Sequence, residues 1–571
     1  VPTRPSPTPA DTARALGTTL ATASPLLALL ATGAAYAPCA DRDLLARGAI
    51  ALEPAAGSGA PAATFVAHAL SFLPLGASPL RAALASSALG AAAALALYRA
   101  IDAAAAAAPR AAAAYVRGPL MLAAVWLAFA CAPLFLREGQ AYAGGLALAC
   151  LCAERMARAH AADSLATASR ARRSAACWFA LLLVEQPALA VCVAVAAGSW
   201  ARGAPGRERE RERTSHAYAL GAAIAVLAAI GAVLLYAREP SRAQSAAAAW
   251  LSGWTRSFQL AHGAFTARVS ELSPAAWTLI AAAAIFGARA ARGARPPLVH
   301  GWALLTFTAL GGSALLAHPA PLQALALCGA AATCALCAAE WLGGKLPRRL
   351  AFAAGVLALA LAAAQLRATA LAALGDDGRA ADVLREPLLR ALPSRALVLV
   401  EPDLSRALHG AELEEAVRPD VIVARKPWRL DLAQSAALAR SAPDLQPAMR
   451  AHLLQGALPV DELRSLAARR PLLIETMPGA DERALVHALL PFGLYQQVST
   501  SAATRSDARF AARDAEARME RWSALLDADA PAAECRALLR DRALAAAAYY
   551  EQIGDREHAA AARSTAGTFA P

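Results

Sequence analysis

The chain has 571 residues, of which 58% are hydrophobic and only 17% charged. Soluble globular chains run nearer about 45–50% apolar and about 25% charged, so the balance excludes an ordinary soluble enzyme and a disordered protein, and points to a polytopic membrane protein. The formal charge of +12 comes almost wholly from Arg, since Lys345 and Lys426 are the two lysines. In the first two-thirds of the chain the arginines fall mainly in short stretches between apolar runs. They do not gather into the aromatic-interleaved patches of a nucleic-acid reader, so no nucleic-acid partner is expected.

Residues 1–14 are polar, Pro-rich and carry Arg4 and Arg14, which predicts a cytoplasmic tail. Residues 15–38 form a nearly uncharged apolar run. Ala35-x-Ala37 has the form of a cleavage site, but the run exceeds the roughly 7–15 apolar residues of a signal peptide and reads as a first membrane helix. Apolar runs near 79–100, 117–136, 139–153, 174–200, 216–237, 274–291, 298–317, 320–342 and 350–373 continue the pattern, most of them near the ~20 residues that a bilayer requires. The membrane domain therefore extends over 15–373, with about ten to eleven transmembrane helices and a first exoplasmic loop at 39–60.

Arginine placement sets the expected orientation. The loop 154–173 carries Arg155, Arg158, Arg170, Arg172 and Arg173, and the loop 201–215 carries Arg202, Arg207, Arg209, Arg211 and Arg213. Both ask to be cytoplasmic, which one straight span between them does not allow. Glu185-Gln186-Pro187 interrupts that run: a central Glu is costly in lipid and Pro breaks the hydrogen-bond ladder. Two short helices meeting at 185–187 satisfy both facts; a single kinked span that violates the charge rule is the alternative. The cysteine pairs Cys150-x-Cys152 and Cys334-x-x-Cys337 lie in apolar runs without the further ligands of a zinc site and read as small packing residues.

After about 374 charged residues become frequent. Leu397–Glu401, Asp420–Val423, Leu472–Ile474 and the segment near Tyr495–Val498 read as strands separated by helical stretches. That pattern predicts an α/β domain over 374–503 with a parallel sheet. From 504 to 571 the pattern is helical. Its end, Ala543–Ala562 with Tyr549, Tyr550, Gly554 and Asp555, is like one TPR-type hairpin that packs on the α/β domain, since a single repeat cannot form a solenoid.

The first exoplasmic loop holds the residues suited to chemistry. Asp41 and Asp43 stand just past the first apolar run with Arg42 and Arg47 beside them. A carboxylate there can accept the proton of an attacking hydroxyl, and arginines can neutralise a phosphate leaving group. Arg137, at the outer end of another run, joins them as a candidate for the donor phosphate. No cofactor is assigned; a divalent metal bridging Asp41 and Asp43 would need further oxygen ligands.

These residues stand upstream of Ala69-Leu-Ser-Phe-Leu-Pro-Leu-Gly76. The chain resembles the membrane family that contains the animal protein O-mannosyltransferase acting on IPT domains, in the glycosyltransferase C superfamily, which has many bacterial members. Family members show Asp-Ser-Gly-Glu in the first exoplasmic loop, then His-Pro-Pro-Gly-Tyr-Pro, then a segment similar to 69–76. Counting back without gaps, Asp41 meets the family's first Asp, Leu44 stands at its Glu and Ala56 at its His. Gln140-Ala-Tyr142 resembles a second family segment, with Gln140 in place of Glu, and Val417-Arg-Pro-Asp-Val421 and Pro427-Trp428 are similar to pieces of its soluble domain. The resemblance implies sugar transfer from a polyprenyl-phosphate-linked donor to an exoplasmic protein or glycan acceptor. It implies a bacterial inner-membrane location and Asp41 and Asp43 as the catalytic carboxylates; Arg placement, with the basic loops around Arg289, Arg292 and Arg295 and around Lys345, Arg348 and Arg349 inside, is what puts the C-terminal domain on the periplasmic side. The lost Glu and His imply the alternative of an inactive relative acting as a membrane scaffold or lipid-carrier binder.

Overall fold

The computed structural model describes residues 19–20, 61–72, 78–106, 114–131, 142–162, 164–202, 273–291, 297–316, 320–345, 347–374, 388–400, 418, 420–425, 443–447, 450, 460–474, 489–493, 495–500, 505–524, 533–552 and 554–569. These residues are mostly helical, with one small sheet. They belong to two compact units, one holding nearly all of the helices up to Leu374 and the other made mainly of Gly375–Pro571.

In the first unit the helices are α1 (Pro61–Ser71), α2 (Ser78–Ala106), α3 (Ala114–Ala130), α4 (Ala143–Ala161), α5 (Leu165–Glu185), α6 (Pro187–Arg202), α7 (Pro274–Ala291), α8 (Pro297–Leu315), α9 (Ala320–Lys345) and α10 (Arg348–Leu374). Three contain segments long and apolar enough to cross a membrane: Leu84–Ala106, Pro321–Leu342 and Arg349–Thr369. Shorter apolar segments lie at Arg117–Ala130, Pro187–Trp200 and Pro274–Arg289. The 154–173 segment, expected as a loop, is helix almost throughout. Arg and Ala are good helix formers, so α4 runs to Ala161 and α5 starts at Leu165, where the Ser164 hydroxyl accepts the Thr167 amide at 3.2 Å as N-cap.

Small residues allow these helices to approach closely, as in membrane bundles. Gly301 of α8 faces the Trp200 indole of α6 with no room for a Cβ. Gly329 of α9 sits under Thr306 of α8, where a Cβ would fall 2.7 Å from the hydroxyl. Hydroxyls inside the unit satisfy themselves locally: Thr306 donates to the Trp302 carbonyl at 2.9 Å and Thr333 to the Gly329 carbonyl at 2.8 Å. Trp200 and Trp302 meet edge to face at 5.6 Å. Asp102, near the end of α2, pairs with Arg117 at the start of α3.

Two of the long apolar helices have opposite surroundings. The apolar window of α9 is 89% buried, among α3, α7 and α8, whereas that of α10 is 22% buried. α10 packs on α3, and the Thr369 hydroxyl donates to the Ala130 carbonyl at 2.9 Å. Leu350, Phe352, Val356, Leu357 and Leu361 remain exposed on α10.

The second unit is built on a five-stranded sheet of order β2-β1-β3-β5-β4, with β1 (Leu397–Val400), β2 (Ile422–Arg425), β3 (Leu472–Ile474), β4 (Leu489–Phe492) and β5 (Tyr495–Val498). The expected parallel sheet is corrected to a mixed one. β2, β1 and β3 are parallel, with Leu397 opposite both Ile422 and Leu472, but β5 is antiparallel to both β3 and β4. The reason is the tight connection at Gly493, whose φ of 65° supplies a left-handed turn. So short a link can only fold the chain back on itself. Pro491 is tolerated because β4 is the edge strand.

One face of the sheet buries Leu397, Leu399, Leu472, Ile474, Leu489 and Val498 against Leu463 and Leu466 of α11 (Val460–Arg469). The same cluster includes Ala547 and Tyr550 of α13 (Ala533–Gln552) and Ala559 and Ala562 of α14 (Arg556–Thr568). These two helices pack on each other across a turn at Gly554, φ 78°, where Asp555 caps α14 by accepting the His558 amide at 3.3 Å. α12 (Arg505–Ala524) packs on β4, with the Arg518 guanidinium 4.0 Å from the centre of the Phe492 ring.

Arg418 and Asp420, from the Val417–Val421 segment, act as an architectural clamp. Arg418 donates to both carboxylate oxygens of Asp420, at 2.8 and 2.9 Å, and to the carbonyls of Leu389, Leu392 and Pro393 at 2.7–3.1 Å. Asp420 also accepts the Arg395 amide at 2.8 Å, which holds Arg395 in a left-handed conformation of φ 58°. The Arg418 guanidinium, helped by that amide, keeps the Asp420 carboxyl well below the usual carboxylate range, and Asp420 in turn raises Arg418. The entry to β1 and the entry to β2 are thereby tied together before either strand pairs.

Candidate functional site

The residues singled out for chemistry and phosphate binding, Asp41, Arg42, Asp43, Arg47 and Arg137, lie outside the described residues. Among the described residues no group of three or more His, Cys, Asp and Glu side chains could hold a metal ion. The segment 69–76 is described as far as Phe72, and its first residues belong to α1, which packs on α4 and α5. His68 of α1 meets the Phe72 ring edge-on at 4.9 Å, and Phe65 and Phe72 are exposed.

The polar feature that the structure builds inside the helical unit is the break at Glu185-Gln186-Pro187. α5 ends at Glu185, and Gln186 leaves the helical conformation with φ −150° and ψ 89°. Pro187 then opens α6 as its first residue, where its missing N–H costs nothing. Most of the ladder survives around the break: the Gln186 amide donates to the Leu182 carbonyl at 2.7 Å, and the Gln186 carbonyl accepts the Ala190 amide at 3.2 Å.

Gln186 is nine-tenths buried and its side chain lies across the first turn of α4, so close that a Cβ on Gly145 would fall 2.5 Å from Oε1. Oε1 has no hydrogen-bond partner in the protein. Glu185 is 2% exposed. A buried carboxylate beside a non-helical residue, among apolar helices, is costly unless the protein or a ligand compensates it. Broken helices in membrane proteins mark the places where polar substrates are handled.

Sequence reasoning named Glu185-Gln186-Pro187 as an interruption only. What it missed is Gly145, whose lack of a side chain admits Gln186. The adjacent pair Gly144-Gly145 at a helix start was the available signal, because Gly inside a helix generally has a packing reason.

Comparison with known protein families, with curated proteins and with solved structures finds no match to this chain.

Proposed function

We propose that the chain is a multi-pass protein of the bacterial cytoplasmic membrane that transfers a sugar from a polyprenyl-phosphate donor to an exoplasmic acceptor. Asp41 is the general base, Asp43 supports it, and Arg42, Arg47 and Arg137 face the donor phosphate. With residues 1–14 cytoplasmic and 174–200 crossing twice, the odd count of about eleven crossings puts Asp41 and residues 374–571 on the outer side.

The observation that carries the membrane setting is α10. A long helix that exposes Leu350, Phe352, Val356, Leu357 and Leu361 on one side is anomalous in water and ordinary in lipid. A lipid-embedded unit suits a lipid-carried donor. The chemistry rests on the resemblance through Asp41 and residues 69–76. The buried break at Glu185-Gln186 supplies a second polar point within the helical unit.

Transfer of labelled sugar from a polyprenyl-phosphate donor in proteoliposomes tests this. Wild type is expected to transfer, and Asp41→Asn to lose about a hundredfold or more, the usual worth of a positioned base. Equal transfer by both removes Asp41 from the role. Leu44 and Ala56, standing where the family has Glu and His, favour the second reading of an inactive lipid-carrier binder. In that case neither protein transfers sugar, while both retain the labelled carrier.

A further inference from the structure

We propose that the charged ends of α4 and α5 form a binding site for the phosphate of an anionic phospholipid. The inference needs the helical unit to lie in a membrane but not the sugar-transfer chemistry.

The register of the two helices comes first. The Cys152 thiol of α4 lies 3.6 Å from the Ala175 carbonyl of α5, and the connection between the helices spans only residues 162–164. The two therefore run antiparallel as a hairpin. Moving from this contact toward the hairpin tip, α4 presents Glu154, Arg155 and Arg158, and α5 presents Arg173, Arg172 and Arg170. Moving away from the tip, α4 has only Ala, Gly, Leu and Cys back to Ala143, and α5 has Ala, Cys, Trp, Phe, Leu and Val up to Glu185. Both helices thus pass from apolar to cationic at the same height, which is where a lipid headgroup would lie.

The charge at that height is strongly one-sided. Between the Cys152–Ala175 contact and the hairpin tip the two helices carry five arginines and one acid, the buried Glu154, which Arg158 engages at 2.6 Å; Arg172 also has a contact within the protein. Arg158, Arg170 and Arg173 are exposed. Arg155 is different: its Nε is buried and finds no hydrogen-bond partner in the protein. A buried guanidinium N–H without an acceptor is rare and costly, and phosphate is the acceptor whose shape fits the guanidinium fork.

An apolar boundary directly below the arginines fits acyl chains, and distinguishes a phospholipid from a free phosphate. Juxtamembrane Arg and Lys near an anionic leaflet each strengthen such binding by about fivefold.

The test uses the full-length protein in mild detergent, offered equal phosphatidylglycerol and phosphatidylcholine, with bound lipid read by native mass spectrometry. Wild type is expected to retain phosphatidylglycerol preferentially. The R155Q/R172Q/R173Q variant should lose about fivefold per arginine removed, and R540Q/R556Q in the sheet-bearing unit should retain as much as wild type. Equal retention of the two lipids by wild type, undiminished retention by the triple variant, or displacement by millimolar inorganic phosphate as readily as by lipid would overturn the proposal. If the triple variant does not fold, the melting temperature of wild type decides instead. A rise with phosphatidylglycerol and not phosphatidylcholine supports the site, and equal values for the two overturn it.

Discussion

α9 and the sheet of the second unit are buried by different means, and the contrast is what the proposed membrane setting of the helical unit has to explain. In the sheet unit Leu side chains turn inward to a core and the helices that cover it carry Arg, Asp and Glu outward, as water requires. In the helical unit the interior mixes Ala, Cys and Gly, which let the backbones approach closely, with large side chains such as Leu97, Ile101, Trp200 and Trp302, while Leu350, Phe352, Val356, Leu357 and Leu361 of α10 are exposed. In the proposed membrane setting apolar side chains would gain nothing by leaving lipid, and close backbone packing with a few hydrogen bonds would hold the helices together.

The largest expected effect tests the outward face. Leu361→Arg on α10 places a charge where the apolar face is exposed, and should cost about 3 kcal/mol of membrane insertion. Measured by carbonate extraction of membranes, the variant should appear in the soluble or degraded fraction while Leu361→Phe stays in the membrane. The inward face is tested by Gly301→Val. The new side chain must displace the Trp200 indole, so overpacking should cost about 1–3 kcal/mol and lower the melting temperature in detergent, with no change in the isolated response of the sheet unit to denaturant.

In the sheet unit, Arg418→Ala removes the guanidinium from Asp420, which keeps only the Arg395 amide, and from the carbonyls of Leu389, Leu392 and Pro393. Hydrogen bonds to charged groups are worth about 1.5–3 kcal/mol, so urea unfolding followed at the sheet should shift by about that much. The smallest effect is its pH dependence. Asp420 is held below its unfolded value, so its contribution is full above the ordinary carboxylate pKa and is lost as pH falls through the lowered one. Stability of the sheet unit should therefore decline on acidification below about pH 4, and Asp420→Asn should flatten that decline.

The same contrast explains what could be read from sequence. Apolar runs such as 320–342 and 350–373 are visible as helices because hydropathy and length are local properties, and the break at 185–187 is visible because Pro cannot donate. That α9 lies inside and α10 outside was not legible, since both runs are equally apolar and only their neighbours differ. Residues 154–173 read as loop because charge between apolar runs is equally compatible with helix and with irregular structure. Strands β1 and β3 follow from short β-branched and Leu runs and β5 falls where expected; β2 lies at Ile422–Arg425, two residues beyond the expected Asp420–Val423, because Asp420 is held in the Arg418 clamp, and β4 is hidden by Pro491, and with it the antiparallel half of the sheet. The Arg418 clamp depends on carbonyls 25 or more residues away, which no local pattern reveals. At the candidate site, Glu185 and Gln186 were visible as polar residues in an apolar run; their cover by Gly145 is a tertiary fact. Asp41 and its neighbours rest on sequence alone.

The central claim is that lipid solvates the helical unit, and spin labels on α10 test it most directly. With nitroxides placed singly at Leu357 and Leu361 in reconstituted protein, relaxation should be enhanced by oxygen and not by a water-soluble nickel chelate. Strong enhancement by the nickel chelate at both positions would place that face in water and contradict the account.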